Sequence, residues 1–224
     1  MPRILVFDLD GTLIHSAPDL HRALSQLFAE ETLPPHNLEQ VISMVGDGSP
    51  MLVTRAFERA GRPAGDALPR LLARFLDLYE TGIAELTLPY PGVPETLARL
   101  RDDGHRMAVC TNKPDGPTRS VLDALGLGSF FEVIVGGDSA PVKKPDARHL
   151  LAVLDRMQAS PREAVMIGDG TNDLLVAEAV GVPSILVRYG YGLRHSSTTP
   201  PAAVIDTFAA LPAALARMAV SGAY

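Results

Sequence analysis

The sequence predicts an α/β fold in two parts: a parallel sheet covered by helices on both faces, and an all-helical insert after the first strand. Three observations carry this. Five short apolar runs rich in Val and Ile are spread along the chain. Amphipathic helical segments separate them. Between Ser16 and about Leu88 the alternation stops and only helical patterns remain.

The strand candidates are RILVF (3–7), RMAVCT (106–111), FEVIVG (131–136), AVMIG (164–168) and SILVR (184–188). Each is too short for a helix and ends in polar or turn residues. Being apolar on both faces, they suit a parallel sheet buried between helices. In the insert, Ser16 with Asp19 three residues on predicts a capping box. Leu20, Ala23, Leu24, Leu27 and Phe28 then form one apolar stripe. Further helices are expected near 37–44, 50–60 and 66–83. LTLPYPG (86–92) leads back to the strand–helix pattern. Val93, Leu97 and Leu100 share a helix face, with Gly104 as stop; PTRSVLDALG stops at Gly126. ARHLLAVLDRM and NDLLVAEAVG follow the same period. The expected division is a core of 1–15 and 89–224 and an insert of 16–88, with linkers near 13–17 and 85–91. Strand–helix alternation implies right-handed crossovers.

Composition narrows the function. With 46% hydrophobic and 21% charged residues, the 224-residue chain can bury a sizeable core. A net charge of −6 argues against a nucleic-acid partner, which needs a basic face. The single cysteine, Cys110, sits in an apolar run and reads as a buried small hydrophobe. No apolar stretch is long enough to span a bilayer, and the N-terminal run lacks a cleavable signal pattern. A soluble, cytoplasmic protein with no membrane partner is expected. His21, His36, His105, His149 and His195 lack metal-ligand spacing.

Ligand sites in open parallel sheets lie at the carboxyl ends of the strands. The first candidate strand ends in FDLDGT. Asp8 and Asp10, two apart in extended chain, point to the same side; Gly11 permits a tight departure and Thr12 can tie the turn. Two carboxylates this close repel unless a cation joins them. The second ends in CTNKP, where Thr111, Asn112 and Lys113 supply donors suited to phosphate oxygens. The fourth ends in GDGTND, with Asp169 off the strand and Asp173 one helical turn later. Hard cations such as Mg²⁺ take carboxylate oxygens, while a helix-capping role would equally suit Asp173. Of 20 basic residues 17 are Arg, yet Lys143 and Lys144 stand together in VKKPDA. A compact ammonium that must touch both a carboxylate and a phosphate oxygen favours Lys over the planar Arg fork.

These four motifs, in this order, resemble the haloacid dehalogenase superfamily. That resemblance implies a Rossmann-like core, a helical cap formed by residues 16–88, and Mg²⁺-dependent phosphoryl chemistry. It implies Asp8 as nucleophile and Asp10 as general acid, then base. Thr111 and Lys144 would hold the phosphoryl group; Asp8, the Asp10 carbonyl and Asp169 would hold Mg²⁺, with Asp173 beside them. TLIHSAPDL, VGDGSPMLVTRAF and YPGVPETLARLRDDGHRMAVCTNKP are similar to the phosphoglycolate phosphatase subgroup. A small phosphorylated metabolite, 2-phosphoglycolate first, is the implied substrate, with Gly46, Gly48 and Arg55 as candidates to meet its carboxylate and Asn112 to meet phosphate. His15 stands where that subgroup usually has an acidic residue, and Ala147 where proline is common. Lys143 has no assigned role. Two alternatives stay open: another phosphoryl-transfer enzyme of the superfamily, and a phospho-accepting receiver domain. The insert and the placement of Asp8 on the first strand argue against the receiver. No G-x-G-x-x-G follows the first strand, which argues against a nucleotide-dependent dehydrogenase.

Overall fold

The computed structural model describes residues 3–192 and 199–221. His195 lies outside the described residues. Strand β1 (Ile4–Phe7) leads into β2 (Ile14–His15) and helix α1 (Ala17–Glu30); α2 (Leu38–Ile42), α3 (Ser49–Arg59) and α4 (Leu68–Thr81) follow. Strand β3 (Leu88–Pro89) precedes α5 (Val93–Asp102), β4 (Arg106–Cys110), α6 (Asp115–Ala124), β5 (Val133–Val135) and α7 (Ala147–Arg156). Then come β6 (Ala164–Gly168), α8 (Thr171–Val180), β7 (Ser184–Val187), β8 (Ala203–Ile205) and α9 (Leu211–Ser221).

Six strands form one parallel sheet in the order β5-β4-β1-β6-β7-β8. Strand periodicity divides its side chains between two apolar layers. Leu5, Phe7, Met107, Val109, Val165 and Ile167 face α5, α6 and α9. Ile4, Val6, Ala108, Cys110, Ala164 and Met166 face α7 and α8. This two-sided burial is why these strands read as unbroken apolar runs. The predicted β-strands all appear, four trimmed at their ends and AVMIG (164–168) unchanged, and Gly104 and Gly126 follow the ends of α5 and α6.

Helices α1 to α4 pack around a third apolar cluster of their own, with Leu24, Leu27, Phe28, Leu52, Phe57 and Phe75 at its centre. The two crossings between insert and sheet lie side by side. Ile14 pairs with Pro89 and His15 with Leu88 in a two-residue antiparallel ladder. Asp19 ties the same crossings together: its carboxylate accepts from Leu86 N (3.1 Å), Thr87 N (2.8 Å) and Thr87 Oγ1 (2.6 Å).

That arrangement corrects one expectation. Ser16 and Asp19 do not form a capping box; the Ser16 hydroxyl makes no cap bond and donates instead to Asp10 Oδ1 at 2.5 Å. The local S-x-x-D spacing is compatible with a cap, but Ser16 turns back to Asp10 and Asp19 reaches across to Leu86 and Thr87. Among the described residues no helix is long and apolar enough to cross a membrane.

Candidate active site

The loops after β1, β4 and β6 and the one before α7 converge at the carboxyl edge of the sheet, where a parallel α/β sheet places ligands. After Phe7 the chain turns tightly, with Leu13 N and Ile14 N both donating to Leu9 O. Leu9 is buried in the core between the two aspartates, so Asp8 and Asp10 share the open side.

Each aspartate meets its own ammonium. Lys144 Nζ lies 2.9 Å from Asp8 Oδ1 and 2.7 Å from Asp173 Oδ1. Lys113 Nζ lies 3.3 Å from both oxygens of Asp10 and 4.4 Å from the centre of the Tyr79 ring on α4. Both ammonium groups are buried. Burial alone would lower them, but the carboxylates outweigh it and hold each well above its ordinary value.

Asp169 comes straight off β6 and is fully engaged by donors. Its Oδ1 accepts from Thr12 Oγ1 at 3.1 Å; Oδ2 accepts from Tyr191 N at 2.6 Å and Gly192 N at 2.9 Å. Asp173 Oδ2 accepts from Gly170 N at 3.1 Å. Ligand atoms of Asp8, Asp169 and Asp173 lie within 4.8 Å of one another. The Lys144 ammonium pairs with two of these three carboxylates, Asp8 and Asp173. Burial first, and mutual repulsion second, push the Asp169 carboxyl far above the usual carboxylate range; burial, with Asp173 adding to it against Lys144, does the same to Asp8. A buried surplus of negative charge with oxygen donors suits a hard divalent cation.

Thr111 is buried beside Asp8; its Oγ1 accepts from Lys113 N at 3.2 Å, leaving the hydroxyl proton to donate. A narrow cleft of about 30 Å³ opens over these groups. Asp8, Asp10, Thr111 and Lys113 form its floor, and Leu20, Val45, Gly46, Gly48, Ser49 and Leu52 of the insert form its roof.

Two expected substrate contacts have protein partners in this structure. Asn112 lines the cleft, with its amide donating to Gly46 O at 3.1 Å and Lys144 O at 3.0 Å. Arg55 is also engaged. Its guanidinium pairs with the Asp47 carboxylate and donates to Met44 O at 3.2 Å, bracing the turn from within the insert. The Thr12 hydroxyl ties the Asp169 carboxylate and not its own turn. His15 packs at the crossing, its Nδ1 2.8 Å from the Tyr191 hydroxyl. Tyr191, Tyr79 and Asn172 carried no signal in the sequence beyond proximity to a motif.

Comparison with known proteins agrees with this geometry. A family model described as haloacid dehalogenase-like hydrolase matches residues 5–187. The chain is 42% identical over 218 residues to a phosphoglycolate phosphatase of Caulobacter vibrioides, covering 97% of this chain and 92% of that one. It is 41% identical to a phosphoglycolate phosphatase of Rhodospirillum rubrum, covering 94% and 90%. A solved structure from Haemophilus somnus, described as a predicted phosphoglycolate phosphatase, superposes with a TM-score of 0.86 at 28% identity, covering 95% and 97%. On this evidence the chain belongs to the haloacid dehalogenase-like hydrolases and is a phosphoric monoester hydrolase of that family.

Proposed function

We propose that the protein is a Mg²⁺-dependent phosphatase that hydrolyses 2-phosphoglycolate through an aspartyl-phosphate on Asp8. The observation that carries this reading is the division of labour between the two aspartates. Asp8 faces the cleft with Lys144 and the other carboxylates, whereas Asp10 is held apart by Lys113 and Ser16. The names of the relatives at about 40% identity support phosphoglycolate as the ester.

In this reading Asp8 Oδ attacks phosphorus as the bond to the ester oxygen breaks. Asp10 gives its proton to the departing glycolate oxygen, and the Lys113 ammonium steadies the carboxylate left behind. Asp10 then takes a proton from water, which attacks the phosphorus and releases phosphate and the Asp8 carboxylate. The Thr111 hydroxyl and the Lys144 ammonium hold phosphoryl oxygens, and Asp173 fixes Lys144. Asp8, the Asp10 carbonyl and Asp169 are the groups that would hold Mg²⁺, which supplies charge neutralisation between carboxylate and phosphate. The chemistry is then mostly positioning and electrostatics. Residues 16–88 act as a cap that closes the cleft.

The test is phosphate release with Mg²⁺ from phosphoglycolate, sugar phosphates, nucleotides, pyrophosphate and a phosphonate. Fastest release from phosphoglycolate is expected, together with loss of turnover in Asp8→Asn. No release from any phosphoester would overturn the enzyme reading, and a fully active Asp8→Asn would overturn the nucleophile.

A further inference from the structure

Three catalytic loops each send one extra side chain out of the core, and all three reach the same two residues of the cap. Asn112, beside Thr111, donates to Gly46 O at 3.1 Å. Asn172, beside Asp173, donates to Gly46 O at 3.2 Å and to Asp47 Oδ1 at 2.7 Å. Lys143, beside Lys144, donates to Asp47 O at 2.8 Å. The cap turn presents only acceptors here and the core only donors, so the contact is complementary in sense as well as shape. Next to the turn, Gly48 has φ +85° and lies so close that a β-carbon would stand 2.6 Å from Asn112 O. The turn is the roof of the cleft above Asp8 and Asp10.

We propose that this three-loop clasp sets the closed position of the cap during turnover, with Lys143 and Asn172 as its positioning residues. Neither touches a reacting atom. Asn112 also bonds the Lys144 carbonyl, so it couples the clasp to the phosphate-holding lysine and is not a clean probe. Because the donors stand next to Thr111, Lys144 and Asp173, a closed cap also braces the loops that hold the phosphoryl group. Substrate binds productively to the closed form, so loosening the clasp lowers apparent affinity by the fall in closed population. Saturating substrate restores closure, and kcat is retained. This assigns to Lys143 the role that separates it from its neighbour.

The kinetic arm rests on the phosphatase reading above; a second arm does not. Lys143→Met and Asn172→Ala are expected to raise KM for phosphoglycolate about tenfold, the effect of losing one or two hydrogen bonds, with kcat within about twofold of wild type. Lys143→Arg, which keeps a cationic donor, recovers most of the KM. In the presence of Mg²⁺ and inorganic phosphate, hydrogen exchange at the amides of residues 46–52 is expected to speed up several-fold in both variants, with the melting temperature unchanged. Unchanged exchange and unchanged KM in both variants overturn the clasp. So does a fall in kcat at constant KM, which places the residues in the chemistry and not in closure. If wild type releases phosphate from another ester only, the substrate reading fails and the exchange arm still decides the clasp.

Discussion

Removing the Lys144 ammonium tests the centre of the site most directly. In Lys144→Ala the carboxylates of Asp8 and Asp173 lose a cation at 2.9 and 2.7 Å. A unit charge pair at about 4 Å in an effective dielectric near 20 interacts by about 4 kcal/mol. Removing one prearranged electrostatic contact to a reacting group typically costs kcat a factor of about 10²–10³. Breaking a buried ion pair also costs roughly 3–5 kcal/mol of stability, because the partner is left charged and dry. For a chain of this size that is a drop in melting temperature of roughly 6–20 °C. The assays are steady-state phosphate release at saturating Mg²⁺ and a thermal melt without it. Lys144→Arg should not rescue, since the larger planar fork cannot take the place of a compact buried ammonium. A Lys144→Ala enzyme within tenfold of wild-type kcat, or melting with wild type, would refute the reasoning.

Three other outcomes are expected. Gly48→Ala must leave a left-handed backbone conformation and clear Asn112 O, where the added carbon would stand at 2.6 Å; the cap turn lifts and KM for the ester rises more than tenfold, read by steady-state kinetics. Asp19→Ala leaves three donors of the second crossing without an acceptor and loses about 3 kcal/mol in urea unfolding. His149 is buried, donating to Gly136 O and accepting from Lys144 N, and burial holds its imidazole down at about 4 against 6.5 when exposed. Its folded form stays neutral while the unfolded chain takes a proton. The stability it contributes is therefore complete above about pH 6.5 and lost as pH falls toward 4. His149→Gln should flatten that part of the urea-stability profile by about 2 kcal/mol after solvent screening; a slope equal to wild type would sink the assignment.

The sheet was legible because its strands are buried on both faces, which writes them as continuous apolar runs. β8 was not: Ala203–Ile205 is three residues at the sheet edge with Val204 exposed, too short and too mixed to stand out. The β2–β3 ladder was hidden for the same reason, since two residues carry no period. In the candidate site, Asp8, Asp10, Thr111, Asp169 and Asp173 could be singled out because each follows a strand or lies near a helix start at the carboxyl edge, and Lys144 because lysine is rare in this chain. Partners were harder to read than positions. Asn112, Arg55, Thr12 and Ser16 are good donors by type, yet each donates to a group from another segment that only the folded chain brings near. The role of Lys143 and the presence of Asn172 could not be read for a subtler reason: their neighbours carry the motifs, and side chains one residue apart in a turn point to different bodies.

The side-by-side crossings have a consequence for how the chain is built. From the standpoint of the core sheet, the long excursion through α1 to α4 leaves and returns at paired residues, Ile14 with Pro89 and His15 with Leu88. Entropically the host sees a hairpin connection, since closing the ends is already achieved by the ladder and further length adds only logarithmically. A helical module of different length or sequence could therefore be grafted at this doorway with little cost to the sheet. The host would keep Asp8, Lys144 and Asp169 in register, while the graft would bring a different roof and a different choice of ester.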